Sequence, residues 1–434
     1  MATEYKKYIP TLRFPEFQND GEWEADTMET IFDIKNGYTP SKSNPSFWDN
    51  GTIPWFRMED IRKNGHILSD SIQHVTPAAV KNAGLFPAYS IIVATTATIG
   101  EHALIIVDSL ANQQFTFLTK RKSFDNKLDM MYFHYFMFII DEWCKRNTNA
   151  GGLLSVNMDS FKKLTIPYPS SILEQKRIAE CFISIDKEID ATKRKLVQLK
   201  EHKKGLMQRL FPAKGKTTPE LRFSEFQNDG EWKNIKFSEL FTFISNNTLS
   251  RASLNNNGGI VQNIHYGDVL IKYKEDLSAI TEEIPFITDI NDIQKYISVK
   301  MENGDIIIAD TAEDEIVGKC TEIQDITKEI IVAGLHTIAI RPNCKFAKYY
   351  LGFYLNSQSY RDQLTQYMQG VKVLAISKTS IAQTTICFPI SLVEQEHIAN
   401  CLMEINNSLK LIEEKIKVLE LHKKGLMQQL FPKL

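Results

Sequence analysis

The chain has 434 residues, of which 43% are hydrophobic and 24% charged, with 20 Gly and 15 Pro. This is the composition of a globular protein of about two to four domains, and it excludes a disordered or fibrous chain. The 51 Lys and Arg against 53 Asp and Glu give a net charge of −2, which neither indicates nor excludes nucleic-acid binding.

No apolar run reaches the roughly 18–20 residues that a membrane helix needs. The longest candidate, residues 132–140, is followed directly by Asp141 and Glu142. The first residues also lack the apolar core of a signal peptide. We therefore expect a cytoplasmic protein without a membrane segment.

The chain contains an internal repeat with a period above 200 residues. A leader, Leu12–Trp23, returns as Leu221–Trp232 with one difference, and a helix-end segment, His202–Pro212, returns as His422–Pro432 with one difference. The pairs Glu174-Gln175 and Glu394-Gln395 precede the two helix-end segments and lie 220 residues apart, as those segments do. A period of this length indicates duplicated domains, because solenoid repeats are only 20–50 residues long.

Between the repeated segments lie two stretches of unlike sequence, the first insert (residues 24–165) and the second insert (residues 233–385). The predicted segments are a leader with the first insert over 1–170, a long helix over 171–212, a linker, leader repeat and second insert over 213–390, and a second long helix over 391–434.

Each insert combines short β-branched runs with one aromatic-rich helical stretch. The predicted strands are Ser90–Thr95, Ala103–Val107, Phe115–Leu118, Asp305–Ala309, Ile330–Val332 and Thr337–Ile340, and the predicted helices are Leu128–Arg146 and Phe346–Tyr367. The fold class expected for each insert is α+β.

The two long helices carry an apolar position alternately every four and three residues, which is typical of a coiled coil. The predicted interface is Ile178, Phe182, Ile185, Ile189, Leu196, Leu199, Leu206 and Leu210 in the first helix, with Ile398, Leu402, Ile405, Leu409, Ile412, Ile416, Leu419, Leu426 and Leu430 in the second. We expect the helices to pair antiparallel within one chain, giving a pseudo-twofold repeat with a coil roughly 57 Å long. The alternative is a coil that serves homodimerisation. Lys203 and Lys423 occupy matching interface positions, where they either specify register or point outward.

Polar loop residues of the inserts suit DNA, because Arg pairs with guanine, Asn and Gln pair with adenine, and Lys meets phosphate. The candidates are Lys42, Arg57, Arg62, Lys63, Asn112, Gln113 and Gln114 in the first insert, and Arg251, Asn255, Gln262, His265, Lys272, Lys274, His336 and Lys372 in the second. The alternative for each of them is an ordinary exposed loop residue.

Several catalytic and cofactor motifs are absent from the sequence. It contains no Gly-x-Gly, no Cys-x-x-Cys, no His-Glu-x-x-His and no Gly-x-Ser-x-Gly, and its nine histidines are scattered. The sequence thus predicts no catalytic residues, no metal site and no cofactor on this chain.

The leader Leu-Arg-Phe-Pro-Glu-Phe, the Glu-Gln-x-x-Ile-Ala helix starts and the His-Lys-Lys-Gly-Leu-Met-Gln helix ends occur in order and twice. Together they resemble the specificity subunit of type I restriction–modification systems over essentially the whole chain. One departure is Ser224, which stands where the leader has Pro15.

This resemblance implies a non-catalytic subunit that binds double-stranded DNA. Each insert would be a target recognition domain reading one half of an asymmetric, bipartite sequence, and the coil would fix the spacer at about one helical turn. Two modification subunits, which use S-adenosylmethionine to methylate adenine, would dock on the coil. Restriction subunits, which translocate DNA with ATP and Mg²⁺, would complete the complex.

Two other functions fit the same pattern. A scaffold would use the inserts to bind proteins and the coil as a spacer, and its binding would not depend steeply on salt as DNA binding does. A stand-alone DNA-binding regulator would bind its site without a partner, which the lack of surplus basic residues disfavours.

Overall fold

The computed structural model describes residues 8–82, 84–149, 154–313, 315–370 and 373–433. The chain forms two compact units. The first unit comprises residues 1–191 and 416–434, and the second comprises residues 192–415. Each unit thus contains one insert, part of the first long helix and part of the second.

The described residues of the first unit form ten strands and the start of a long helix. Its strands are β1 (Glu24–Thr27), β2 (Phe32–Asn36), β3 (Ile53–Phe56), β4 (Ile67–Leu68), β5 (His74–Val75), β6 (Ser90–Ala94), β7 (His102–Ile105), β8 (Leu110–Ala111), β9 (Phe115–Lys120) and β10 (Thr165–Tyr168). Its helices are α1 (Met28–Ile31), α2 (Met58–Asn64), α3 (Met130–Arg146) and α4 (Met158–Lys162), followed by α5 (Ile172–Leu210), which continues into the second unit.

The second insert and the second long helix contribute the following elements. Its strands are β11 (Lys233–Lys236), β12 (Phe241–Ile244), β13 (Leu254–Asn255), β14 (Val261–Ile264), β15 (Asp276–Ser278), β16 (Phe286–Ile287), β17 (Ile306–Ala309), β18 (Thr311–Ala312), β19 (Cys320–Gln324), β20 (Ile330–Ala333), β21 (Thr337–Pro342), β22 (Leu374–Ala375) and β23 (Thr385–Phe388). The helices are α6 (Phe237–Leu240), α7 (Tyr266–Ile271), α8 (Ile293–Ile297), α9 (Tyr350–Leu355), α10 (Gln358–Leu364), α11 (Lys378–Ile381) and α12 (Leu392–Leu430), which ends in the first unit.

The two inserts share one topology although their sequences differ. The main sheet has the order β2-β9-β6-β7-β4 in the first insert and β12-β21-β17-β19-β15 in the second. In both, the last strand of this sheet pairs parallel with its neighbour, and a smaller sheet contains a second parallel pair, β3 with β8 and β14 with β20. The predicted α+β class and internal repeat are therefore confirmed.

The apolar runs form the expected strands because both faces of the main sheet are covered. All five residues of β6 are buried, and so are all four of β17. Helix α3 covers one face of the first sheet, and it begins where the Asp129 carboxylate accepts hydrogen bonds from the amides of Met131 and Tyr132. The predicted strands are confirmed to within about two residues, and helix Leu128–Arg146 begins two residues later than predicted.

The predicted single helix Phe346–Tyr367 is wrong. The chain instead forms α9, a break at Asn356 and Ser357, and then α10 and a 3-10 turn. The Asn356 side-chain amide donates to the carbonyl of Gly352 in α9 at 2.7 Å, and the Ser357 hydroxyl accepts from the backbone amide of Tyr360. These two side chains satisfy backbone groups at a helix end and a helix start, which a periodicity argument does not detect.

The long helices pair antiparallel within each unit. In the first unit Phe182 of α5 stacks on Phe431 at the end of α12, and Asp186 accepts from Lys423 at 2.6 Å. In the second unit Lys200 of α5 pairs with Glu413 of α12 at 3.0 Å. Later residues of α5 thus face earlier residues of α12, and the predicted intramolecular antiparallel pairing is confirmed.

All 17 predicted interface residues of the long helices are buried or half-buried. Toward the helix ends they pack on the inserts as well as on each other, as Phe182 does against the α3 residue Tyr135. Lys203 and Lys423 do not point outward. The Lys203 ammonium pairs with Glu275 at 2.7 Å and lies over Phe353, and Lys423 pairs with Asp186 and lies over Tyr135.

A buried ion pair fastens each leader to the start of a long helix. The Arg13 guanidinium donates to both oxygens of Glu174 at 2.7 and 2.6 Å, and Arg222 makes the same pair of bonds with Glu394 at 2.7 and 2.8 Å. Both glutamates are only 1% exposed. The adjoining glutamine of each Glu-Gln pair is also buried. Its side-chain amide accepts from a main-chain amide of the insert and donates to the carbonyl of a proline just before the helix.

We expect Arg222→Met to destabilise the second unit by about 3–5 kcal/mol, because Glu394 would be left buried without a cation. Replacing both partners, Arg222→Met with Glu394→Met, should restore much of that loss. Arg209→Met is the matched control, because it breaks an exposed pair with Glu220 and should cost less than about 1 kcal/mol. Urea unfolding followed by circular dichroism measures all three variants, and equal losses for Arg222→Met and Arg209→Met would contradict this reading.

Candidate nucleic-acid interface

Three loops of the first insert are joined at one edge of its sheets by backbone hydrogen bonds. The amide of Tyr38 donates to Ala111 at 2.8 Å, the amide of Asn112 donates to Phe56 at 3.0 Å, and the amide of Gly37 donates to Phe115 at 2.8 Å. We call residues 37–43, 57 and 112–114 the first loop cluster. Gly37 is required there, since an added Cβ would overlap the carbonyl oxygens of Ala111 and Asn112.

The amide side chains of the first loop cluster are held by local hydrogen bonds. Asn112 accepts from the Gln114 amide at 3.0 Å and donates to its side chain at 3.3 Å. The exposed Gln113 accepts from the hydroxyl of Thr39. These contacts fix three neighbouring amide groups at the surface, where they can pair with base edges.

The predicted basic residues of the first insert lie at different places. Arg57 precedes α2, with its guanidinium 5.9 Å from the ring of Trp55 and 2.9 Å from Glu59. Its amide donates to Asp60 at 2.6 Å, which fixes the helix start beside the cluster. Lys42 is exposed in the cluster, whereas Arg62 and Lys63 are exposed in the last turn of α2.

The second insert joins the equivalent loops by equivalent bonds. The amide of Asn247 donates to Ala333 at 2.9 Å, the amide of Gly334 donates to Ile264 at 2.9 Å, and the amide of Asp310 donates to His336 at 3.1 Å. The last of these corresponds to the bond from Thr95 to Gln114 in the first insert. We call residues 246–251, 265–266 and 334–336 the second loop cluster.

The second loop cluster includes one guanidinium and several aromatic rings. Arg251 is half exposed and pairs with Asp268 at 2.7 Å. His336 occupies the place of Gln114, with its ring 3.4 Å from Asp310 and edge-on to Tyr266. His336 also has a left-handed backbone conformation, φ 55°, which is costly for a residue with a Cβ and is often found at functional sites.

His265 is the N-cap of α7 and stands where Arg57 stands in the first insert. Its Nδ1 accepts from the amide of Gly267 at 3.3 Å. Burial and then the neighbouring Arg251 cation lower the pKa of His265, because both disfavour a second positive charge there. The ring is therefore neutral near pH 7, and its role is to fix the start of α7.

The other predicted residues of the second insert lie outside the second loop cluster. Asn255 donates to Thr288 at 3.3 Å, and Gln262 donates to the carbonyl of Ile284 at 3.4 Å. Lys272 donates to the carbonyl of Glu283, and Lys274 donates to that of Asn406 on α12 at 3.4 Å. Lys372 lies outside the described residues.

Sequence reasoning missed four residues that belong with the clusters. Thr39 positions Gln113, Asp268 holds Arg251, and Tyr266 and Asp310 contact His336. Tyr266 and Asp268 lie within four residues of the end of strand β14, next to the predicted His265. The contact with Asp310 depends on pairing between strands far apart in the sequence.

Within the described ranges, no group of three or more His, Cys, Asp or Glu side chains is arranged to hold a metal ion. A search of the same residues finds no helix that is both long and apolar enough to cross a membrane.

Two segments of the chain, residues 20–201 and 229–421, match the family described as the Type I restriction modification DNA specificity domain. They cover most of the chain, which therefore belongs to this family. Each match contains one insert and most of the long helix that follows it.

Named relatives support the same family. The EcoprrI specificity subunit of Escherichia coli is 49% identical over 152 residues, which span 35% of this chain and 38% of that subunit. The MjaVIII specificity subunit of Methanocaldococcus jannaschii is 24% identical over 313 residues, 70% of this chain and 69% of that subunit. The more similar relative is thus matched over less than half of its length.

Two solved structures share the fold. A type I restriction–modification S subunit from M. genitalium superposes with a TM-score of 0.55 at 14% identity, covering 98% of this chain and 99% of that one. A chain solved in work on complex assembly and conformational transition of the type I R-M system gives 0.58 at 16% identity, covering 95% and 98%. At these identities the likeness shows the fold alone.

We expect Gly37→Ala to loosen the first loop cluster alone, because the added Cβ overlaps two carbonyl oxygens. Amide hydrogen exchange at Tyr38 and Asn112 should accelerate roughly ten- to a hundredfold, a local loss of about 1.4–2.7 kcal/mol. Gly334→Ala should do the same to the second cluster, where the Cβ would meet the Asn263 amide and the Ile264 carbonyl.

Gly21→Ala is the control for both variants, because its Cβ would have no atom within 4 Å. If exchange in each loop cluster stays as slow as in the Gly21→Ala protein, the two glycines do not hold the loops together.

Proposed function

We propose that this chain is the non-catalytic DNA-recognition subunit of a type I restriction–modification complex. The observation that carries the proposal is the pairing of one repeated topology with two unlike loop clusters. The same backbone bonds present Asn112, Gln113 and Gln114 in the first insert and Gly334, Leu335 and His336 in the second. The two inserts thus have the same backbone arrangement but present different side chains, which suits the recognition of two different DNA sequences.

Each insert reads one half of an asymmetric, bipartite target in double-stranded DNA. In the first half, the fixed amides of Asn112 and Gln114 favour adenine, whose edge offers one acceptor and one donor to an amide. In the second half, Arg251 and His336 favour guanine, whose major-groove edge offers two acceptors. Lys42, Arg62 and Lys63 contribute phosphate contacts, which carry affinity rather than sequence.

The paired helices set the unread spacer between the half-sites. Helices α5 and α12 have 39 residues each and continue between the units that carry the inserts. A rigid element of fixed length favours one separation of the half-sites, in the way that dimer geometry fixes half-site spacing in other DNA-binding proteins.

The chemistry is carried by partners. Two modification subunits dock on the repeated leaders and long helices, which we call the frame, and bring S-adenosylmethionine. Restriction subunits bring ATP and Mg²⁺. The frame occurs twice with closely similar contacts, which supports two copies of one partner. The near-neutral charge of the chain fits this division, because partners can supply much of the phosphate attraction.

Single-molecule sequencing of DNA from cells that express this chain with its modification subunit tests the proposal. We expect adenine methylation at a split motif with two unlike halves that disappears without this chain. Replacing residues 24–165 by another insert should change one half only. No new methylation despite a stable complex would favour a protein-binding scaffold, and a change in both halves would refute separate reading by the inserts.

Deleting seven residues from each long helix, 192–198 and 409–415, should shorten the spacer while leaving both half-sites unchanged. One heptad is roughly 10 Å of helix, or about three base pairs of DNA, and it keeps the apolar interface in phase. Methylome sequencing of the shortened chain gives the spacer directly. An unchanged spacer would contradict the proposal that the helices set it.

A further inference from the structure

The two long helices carry different residues at one matching position that faces an insert. Position 186 of α5 is an aspartate, and position 406 of α12, which lies 220 residues later, is an asparagine. The lysine that reaches this place from the other long helix is the same in both units, Lys423 in the first and Lys203 in the second. The residues that each insert places there explain the difference between the helices.

The two inserts present equivalent residues to this place. The main-chain carbonyl of His66 accepts from the amide of Leu104 at 2.8 Å, and that of Glu275 accepts from the amide of Glu322 at 3.0 Å. Each of these carbonyl residues directly precedes the parallel edge strand of its main sheet, which is β4 in the first insert and β15 in the second. His66 and Glu275 thus occupy the same position in the shared topology.

In the first unit the carboxylate at this place belongs to the long helix. Lys423 pairs with Asp186 at 2.6 Å and lies 5.4 Å from the ring centre of Tyr135. The hydroxyl of Tyr135 donates to the same carboxylate at 2.9 Å. His66 supplies no acid, and its Nδ1 donates to the carbonyl of His102 at 2.8 Å. Asp186 is therefore the acceptor for both an ammonium and a hydroxyl.

In the second unit the carboxylate belongs to the insert. Lys203 pairs with Glu275 at 2.7 Å and lies 5.5 Å from the ring centre of Phe353. The side-chain amide of Asn406 donates to Glu275 at 3.1 Å and to Asp276 at 2.7 Å. Phe353 has no hydroxyl that would need an acceptor. The insert thus supplies the acids, and the long helix supplies a donor in place of an acid.

We propose that position 186 of α5 and position 406 of α12 are matching positions, which determine the inserts that each half of the frame can hold. Aspartate suits an insert with no acid before its edge strand and a tyrosine on its helix. Asparagine suits an insert with an acid before that strand and no hydroxyl. Both matching positions lie outside the inserts, so an insert is compatible with a new place only together with its own helix residue. This inference goes beyond the proposed function and holds whatever molecule the inserts bind.

The charges of the second unit make an aspartate at position 406 unfavourable. Burial and then the Glu275 carboxylate raise the pKa of Asp276 to about 6, so two acids already oppose each other beside Lys203. Lys274 approaches as well, but it donates to the main-chain carbonyl of Asn406 at 3.4 Å. An aspartate at position 406 would replace two donated protons by a third negative charge, which is costly at a buried place.

The charges of the first unit have the opposite requirement. The side chains of Lys423 and Asp186 are 19% and 34% exposed. An asparagine at position 186 would leave the Lys423 ammonium partly buried without its carboxylate. Because water still reaches both groups, this loss is smaller than the one expected in the second unit.

Amide hydrogen exchange in the full chain tests the second matching position. Asn406→Asp should accelerate exchange at Glu322, whose amide donates to Glu275, at least about tenfold, because three buried acids repel one another. Glu275→Gln alone should also accelerate it, because Lys203 loses its carboxylate. The double variant should exchange within about threefold of the unchanged chain, because Lys203 then pairs with a carboxylate on the long helix, as Lys423 does.

Asn407→Asp is the matched control, because it adds the same charge at the next residue of α12, where the side chain is exposed. It should leave exchange at Glu322 unchanged. The inference is overturned if Asn406→Asp has no more effect than Asn407→Asp. It is also overturned if Glu275→Gln adds to the effect of Asn406→Asp instead of relieving it.

An exchange of inserts tests the first matching position. A chain in which residues 233–385 replace residues 24–165 places the second insert beside Asp186. We expect Asp186→Asn to raise the thermal unfolding midpoint of this chimera by about 2–4 °C and to lower that of the unchanged chain by a similar amount. Asp190→Asn, an exposed change on the same helix, should shift both midpoints alike.

The decisive result is the sign of the change caused by Asp186→Asn. Opposite signs in the chimera and the unchanged chain support matching between insert and helix, and equal signs refute it. If neither form of the chimera folds, the Asn406→Asp and Glu275→Gln variants of the unchanged chain decide the question.

Discussion

The buried pair between an arginine of each leader and the first glutamate of each long helix is the contact on which the rest of the structure depends. Arg13 with Glu174, and Arg222 with Glu394, join segments more than 160 residues apart and bring the leader, the helix start and the insert to one place. A carboxylate that is only 1% exposed destabilises the fold unless a cation and hydrogen-bond donors surround it. Each leader must therefore place its arginine against this carboxylate. The glutamine beside it accepts from a main-chain amide of the insert, Asp129 in the first unit and Ala347 in the second, which ties each long helix to the insert before it.

The leaders and long helices contact the inserts in part through main-chain groups and apolar cores, which leaves much of the sequence of each insert free to differ while the fold is kept. The bonds that gather each loop cluster also run between main-chain atoms, as from Asn112 to Phe56 and from Gly334 to Ile264. Some side chains at the surface of a cluster, such as that of Lys42, therefore do not hold the loops together. A protein built in this way can acquire a new binding specificity without redesigning its core.

The sequence predicted the repeat, the long helices and most strands, because each depends on local periodicity or direct identity. It did not predict that the inserts share one topology, since strand order is determined by pairing between distant segments such as β14 and β20. The break at Asn356 and Ser357 was missed because it depends on two side-chain hydrogen bonds. Among the candidate site residues, those adjacent in the chain, such as Asn112–Gln114, lie together, whereas Lys274 lies against α12 because β15 begins beside that helix.

Each leader contacts a helix end in the same way in both units, but the two contacts join residues at very different separations in the sequence. Leu221 donates to the carbonyl of Arg209 only 12 residues earlier, whereas Leu12 makes the equivalent bond to Gln429, which is 417 residues later in the chain. Loop-closure entropy rises with the logarithm of the separation, so the contact in the first unit costs about 3 kcal/mol more to close than its twin. The apolar packing of Leu430 and Phe431 against Tyr132, Phe136 and Phe182 must offset that difference. The near-identical helix ends therefore make a local contact with the leader in the second unit. In the first unit the same contact joins the two ends of the chain.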